Sequence, residues 1–246
     1  MLRAVGCRSR AEQAEGMTST VLLKPSQPPA QPSLPTVRVL PLLAVAIKLA
    51  AVALLLVAVV YPDLGGLKSK GMEARLVAYP LGLVACGLLW AAAGRLGAVR
   101  PFSWGADVLC SLPILVDLLG NRLGLFDSVL WWDDLMHVSM HALMTAGVLW
   151  QFLPDPLPAL YLVSAAVAFG AVTGLGWEIA EYLAFMRYGV ESEGAYLDTL
   201  GDLVGGTIGS TLAGAAVWFS RRRIGRGSPA SAAAPLVRTA RSRRRR

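Results

Sequence analysis

Trp131-Trp132-Asp133-Asp134-Leu135-Met136-His137-Val138-Ser139-Met140-His141 opens an otherwise apolar run of membrane-spanning length with two acids and two histidines. On a helix Asp133 and His137 are four apart, as are His137 and His141, and Asp134 is three before His137. These side chains can therefore share one stripe facing a neighbouring helix. Two later segments offer partners. Gly176-Trp177-Glu178-Ile179-Ala180-Glu181-Tyr182 stands near the end of one apolar run, and Tyr196-Leu197-Asp198-Thr199-Leu200-Gly201-Asp202 at the start of the next. The expectation is three helices that bring these acids and imidazoles into one polar site inside a membrane bundle.

Composition supports the bundle. Of 246 residues 55% are hydrophobic and 16% charged, where a soluble domain carries about 25% charged residues; the mean hydropathy is +0.54. The fold class is all-α, a polytopic transmembrane helical bundle. The net charge of +7 sits largely in the two termini, ending in Arg238, Arg241 and Arg243 to Arg246. Tail charge of this kind orients a membrane protein and is attracted to anionic lipid head groups. No aromatic or folded platform accompanies it, so nucleic acid is not an expected partner. Cys7, Cys86 and Cys110 have no metal-ligand spacing and read as unpaired.

Residues 1–37, with Pro25, Pro28, Pro29, Pro32 and Pro35, read as a disordered cytoplasmic arm without a signal-peptide pattern, in which Met17 is an alternative start. Residues 38–220 hold about six spans: Val39 to Val60, Leu76 to Leu96, Trp104 to Gly120, Trp132 to Phe152, Leu157 to about Met186, and Tyr196 to Phe219. Each approaches the roughly 20 residues that cross a bilayer as a helix. Pro113 kinks or weakens the third run, and residues 221–246 read as a basic disordered cytoplasmic tail beginning at an abrupt stop, Ser220-Arg221-Arg222-Arg223. Lys48, inside the first run, is expected to point into the bundle, towards an acid such as Asp107 or a water-filled cavity, more as a structural ion pair than a functional one.

Six spans put both termini on one side, which then also carries Arg38, Arg95, Arg100 and Arg221 to Arg223 immediately beside spans. By the positive-inside rule that side is cytoplasmic. Asp117, Asp133, Asp134, His137, Glu178, Glu181, Asp198 and Asp202 then converge on the outer leaflet. Gly201, Gly205 and Gly209, and likewise Gly170 with Gly174, recur every fourth residue, a spacing that lets helices approach closely in lipid.

An ionised carboxylate in hydrocarbon must be paired, solvated or metal-bound. Asp133, Asp134 and Asp198 have a simpler reading as helix N-caps. Glu178 and Glu181 do not; they lie at the negative end of their helix and need a cation, for which His137, Arg187 and a metal ion are candidates. A ligand set of His137, Glu178, Glu181 and Asp202, oxygen-rich with one or two imidazoles, suits Zn, Mn, Fe or Mg as a divalent metal rather than one that prefers thiolates. Asp133 and Asp198 complete the candidate catalytic set. The metal would act as a Lewis acid or activate a water, with a spare carboxylate as general base.

The pattern Asp133-x-x-x-His137, Trp177-Glu178-x-x-Glu181 and Asp198-Thr199-x-x-Asp202 resembles the YjdF-type family of bacterial inner-membrane proteins, over about the third span to the sixth. Asp117-x-x-Gly120-Asn121 fits the same pattern. His141 departs from it, because the family has a small residue near there, and it is a weak ligand candidate for that reason. More distantly the arrangement is similar to VanZ-like proteins, linked to resistance against glycopeptide antibiotics. The resemblance implies a multi-pass protein of the bacterial plasma membrane and carries over no activity. Three functions fit the residues: metal-dependent chemistry on a lipid or lipid-linked substrate, proton- or cation-coupled transport, and a non-catalytic scaffold whose polar cluster fixes helix packing.

Overall fold

The computed structural model describes residues 36–64, 72–96, 100–184 and 194–226. Seven helices and no strand occur among them: α1 (Thr36–Val60), α2 (Met72–Arg95), α3 (Trp104–Arg122), α4 (Leu125–Ser128), α5 (Trp132–Phe152), α6 (Ala159–Ala184) and α7 (Ala195–Arg226). The all-helical bundle expected from composition is what forms. By length and composition five of the helices (α1, α2, α3, α6 and α7) can cross a membrane. The sixth long helix, α5, matches them in length at 21 residues, but Asp133, Asp134, His137 and His141 make it less apolar.

The long helices alternate in direction and form two three-helix halves. In one, α1 and α2 pack on α3 through Ala51, Leu55, Tyr79, Leu83, Ile114 and Leu118. In the other, α5, α6 and α7 meet at Leu149, Leu162, Ala166 and Val217. The halves join where α3 packs against α5. Helix α5 thus has its flanks covered by α3, α6 and α7, which is where intramembrane polar groups are tolerated.

Lys48 pairs with the fully buried Asp107, its Nζ 2.7 and 2.8 Å from the two carboxylate oxygens, as a structural ion pair between α1 and α3. Helix α3 runs unbroken through Pro113, so that proline does not end it. Its N-cap is Ser103, which accepts from Ala106 N at 3.2 Å. Cys86 and Cys110 are buried free thiols. Helix α7 does not stop at Phe219 but continues through Arg221 to Arg223 as far as Arg226. The tail expected from residue 221 therefore begins as helix, because Arg221 is anchored against the end of α5 at 2.9 Å from Leu149 O. The proline-rich arm up to residue 35, Cys7, Arg187 and residues 227–246 lie outside the described residues.

Small residues do set the α5–α6–α7 contacts, at positions only partly those of the four-residue repeat. A methyl at Gly209 would collide with the Val138 carbonyl, and one at Gly170 with the Ser210 side chain. Gly206 abuts the His141 ring, whereas Gly201 faces open space. This close approach lets Thr145 and Ser210, both fully buried, share a 3.0 Å hydrogen bond between α5 and α7.

Candidate functional site

The acidic residues gather at one end of the bundle, where α3 and α6 end and α2, α5 and α7 begin. Gly124, at φ +68°, makes the turn after α3 that a side chain would strain. The short α4 follows, and Phe126 on it meets Trp132 edge-on at 6.3 Å. The N-cap of α5 is Trp131, without a side-chain hydrogen bond, so neither Asp133 nor Asp134 caps the helix; both stand inside its first turn. The positive end of the helix dipole favours them there. Asp198 likewise lies within the first turn of α7 rather than before it. The three cap assignments fail for the same reason: each helix begins earlier than its acid.

His137 Nε2 lies 3.7 Å from Asp133 Oδ1 on its own helix and 3.5 Å from Asp202 Oδ1 on α7. One donor atom from each of these three residues lies within 4.8 Å of the other two. Both separations from the imidazole exceed a good N–H···O bond, about 2.7–3.2 Å. They match the roughly 3.4 Å edge of a tetrahedron whose centre is about 2.1 Å from each ligand. Asp202 is 4% exposed, whereas the Asp133 side chain is 42% exposed and forms the open side of the group. Glu178 and Glu181, proposed as ligands from the sequence, are not among these three, and Asp133 is. Glu178 is nevertheless buried, with Oε2 lacking a hydrogen-bond partner. Asp198 is exposed.

A cavity of about 110 Å³ adjoins the group, at the seam between the two halves of the bundle. Asp133, His137 and Glu181 line it, as do Arg75 from α2 and Asp117 from α3, while Met136, Met140 and Met144 give its α5 wall an apolar, adaptable surface. Arg75 is the residue that sequence reading missed, since it stands just ahead of the expected second span. It is 8% exposed, and its Nε donates at 3.1 Å to both Asp117 Oδ2 and Tyr79 OH. Tyr79 in turn donates to Asp117 Oδ2 at 2.6 Å, and Asn121 Nδ2 donates to the same oxygen at 3.3 Å. Trp177 stacks on Tyr79 with ring centroids 6.0 Å apart. The signal was present as Arg75-x-x-x-Tyr79, one helical turn apart, opposite Asp117-x-x-x-Asn121. His141 stacks on His137 at 6.4 Å and meets Thr173 Oγ1 at 3.5 Å through Nδ1. It lines the cavity without entering the Asp133, His137 and Asp202 group.

The profile of the family described as predicted membrane protein (DUF2238) matches residues 43–223. The chain belongs to this family. It is the YjdF-type family that the Asp133 to Asp202 pattern resembles, and the match extends that resemblance back into the first span. No curated protein and no solved structure matches the chain. The chain is thus a membrane protein with an Asp/His/Asp group whose donor atoms lie close enough together that they could hold a metal ion.

Proposed function

We propose that this protein is a metal-dependent enzyme of the bacterial plasma membrane, acting on a lipid or lipid-linked substrate at the outer leaflet, with both termini cytoplasmic. The observation that carries the reading is the convergence of Asp133, His137 and Asp202, from two helices, on one point beside a cavity that also holds Arg75 and Glu181. Two carboxylates and one imidazole suit Zn, Mn, Fe or Mg and leave coordination positions for water or substrate. Bound there, a divalent ion supplies Lewis-acid activation of a water or of a substrate oxygen.

The protein's own residues divide the remaining work. Asp202, buried, fixes the position of the group, and Asp133 on its exposed side leaves an approach for the substrate. Glu181, lining the cavity outside the donor group, is the general base. Arg75, whose Nε donates to Asp117 and Tyr79, offsets part of the acidic charge that surrounds the cavity. Glu178 acts as a positioning residue that adds negative charge near the ion.

Transport through the bundle is the weaker reading, because Lys48 and Asp107 satisfy one another and neither lines the cavity. The test is the metal content of detergent-purified protein, by elemental mass spectrometry, in wild type, His137→Ala and Asp202→Asn. Near-stoichiometric metal in wild type, lost in both variants that remain monodisperse, is the expected result. Absence of metal after adding back Zn, Mn, Fe and Mg defeats the proposal.

A further inference from the structure

The opposite end of the bundle holds a second cavity, of about 500 Å³, where α5 and α7 end and α6 begins. Its polar wall is basic. Arg100 Nη2 and Arg221 Nη1 grip the two oxygens of Asp155 at 2.8 and 2.9 Å. The same guanidinium groups donate to the last carbonyls of α5, Arg221 to Leu149 O at 2.9 Å and Leu153 O at 3.1 Å, and Arg100 to Leu153 O at 3.0 Å. Arg222, exposed, lies over the Trp218 ring with its Cζ 4.4 Å from the centroid. Three guanidinium groups thus face one carboxylate across this cavity, an excess of two positive charges among its lining residues. The Arg221 side chain is 8% exposed, yet its Nε has no hydrogen-bond partner. The rest of the wall is apolar, with Leu157, Leu162 and Ile224.

We propose that this cavity binds one anionic phospholipid, its phosphodiester against Arg222 and the Arg221 edge and its acyl region along the apolar wall. Basic charge beside an apolar surface, at a helix end where a bundle meets lipid, is the complement of an amphiphile with a negative head. The contact with Trp218 holds Arg222 beside the cavity and leaves its N–H groups for phosphate oxygens. A zwitterionic head brings its own cation into a site already in positive excess and is disfavoured.

The test uses the full chain, purified in detergent, stripped of lipid and titrated while native mass spectrometry counts bound molecules. Phosphatidylglycerol is expected to bind saturably at one per chain, ahead of phosphatidylcholine with the same acyl chains, with inorganic phosphate unable to displace it at equal concentration. Arg222→Gln, which removes a charge that caps no helix, weakens phosphatidylglycerol binding about tenfold, and Trp218→Ala weakens it in the same direction. Should Arg222→Gln not purify as a monodisperse protein, Arg222→Lys takes its place and gives a smaller loss in the same direction. Equal binding of the two lipids, unchanged affinity in these variants, or displacement by phosphate overturns the proposal, the last because it marks a site for soluble anions.

Discussion

The two ends of α5 are finished in opposite ways. At its C-terminus Arg100 and Arg221 take up the terminal carbonyls, and Asp155 bridges the two arginines. At its N-terminus no side chain caps the helix, two acids occupy the first turn, and His137 stands 3.5 Å or more from the carboxylates it faces. Beside it Glu178 keeps a buried oxygen without a partner. Both ends are charged, so charge alone does not separate a structural site from a functional one. What separates them is closure of the helix end: at one, side chains of the protein take up the terminal carbonyls of α5, and at the other Asp133, His137 and Asp202 hold donor atoms within 4.8 Å of one another. Natural proteins keep such unfavourable arrangements where function requires them.

That contrast can be broken by mutation. Arg221→Ala, at the closed end, should lower stability most, by about 3 kcal/mol, because it strips charged hydrogen bonds from the α5 carbonyls. Thermal unfolding in detergent reads the loss; a change under about 0.5 kcal/mol, the ordinary surface range, would mean that Arg100 alone suffices and that the closed end is redundant. At the open end the largest effect should come from the ion itself. A divalent metal at a hundred times its Kd adds about 2.7 kcal/mol to a protein that binds it only when folded. This gain should appear in wild type, survive in Arg221→Ala and vanish in His137→Ala, with unfolding compared in added metal and in chelator. Asp202→Asn removes a buried carboxylate charge from the same cluster, so without metal it should raise stability by about 1 kcal/mol. A loss of similar size would instead make Asp202 a structural partner of His137.

Much of this was legible in the sequence, and the residues show why. Span lengths and the level of Asp133, His137, Glu178 and Asp202 follow from a 1.5 Å rise and short connections, which is geometry that one strand of text carries. The pairing of Lys48 with Asp107 was legible because a lone lysine within an apolar run needs an acid in reach. Arg75 was not, because a basic residue just ahead of a span reads as an interfacial anchor, and only packing of α2 against α3 turns it inward to Asp117. The cap readings of Asp133 and Asp198 failed over the exact starts of α5 and α7, the least legible feature of any helix. Nor could spacing say which glycines bear contacts, since a four-residue repeat gives a stripe without saying which neighbour it meets.

The glycines also give the smallest and most local comparison. Gly201 and Gly206 lie on the same helix, five residues apart. A methyl at Gly201 meets nothing within 4 Å, whereas one at Gly206 comes to 2.8 Å from the Cδ2 of His141. Gly201→Ala should therefore stabilise α7 by up to about 1 kcal/mol through helix propensity alone and leave metal affinity unchanged. Gly206→Ala gains the same propensity but must move the imidazole stacked on His137, so its stability gain should disappear and its metal affinity fall. Calorimetric metal titration of the two variants separates these outcomes. If both bind metal as wild type does, the His141 ring is not part of what holds His137 in place, and the ordering of the site rests on Asp133 and Asp202.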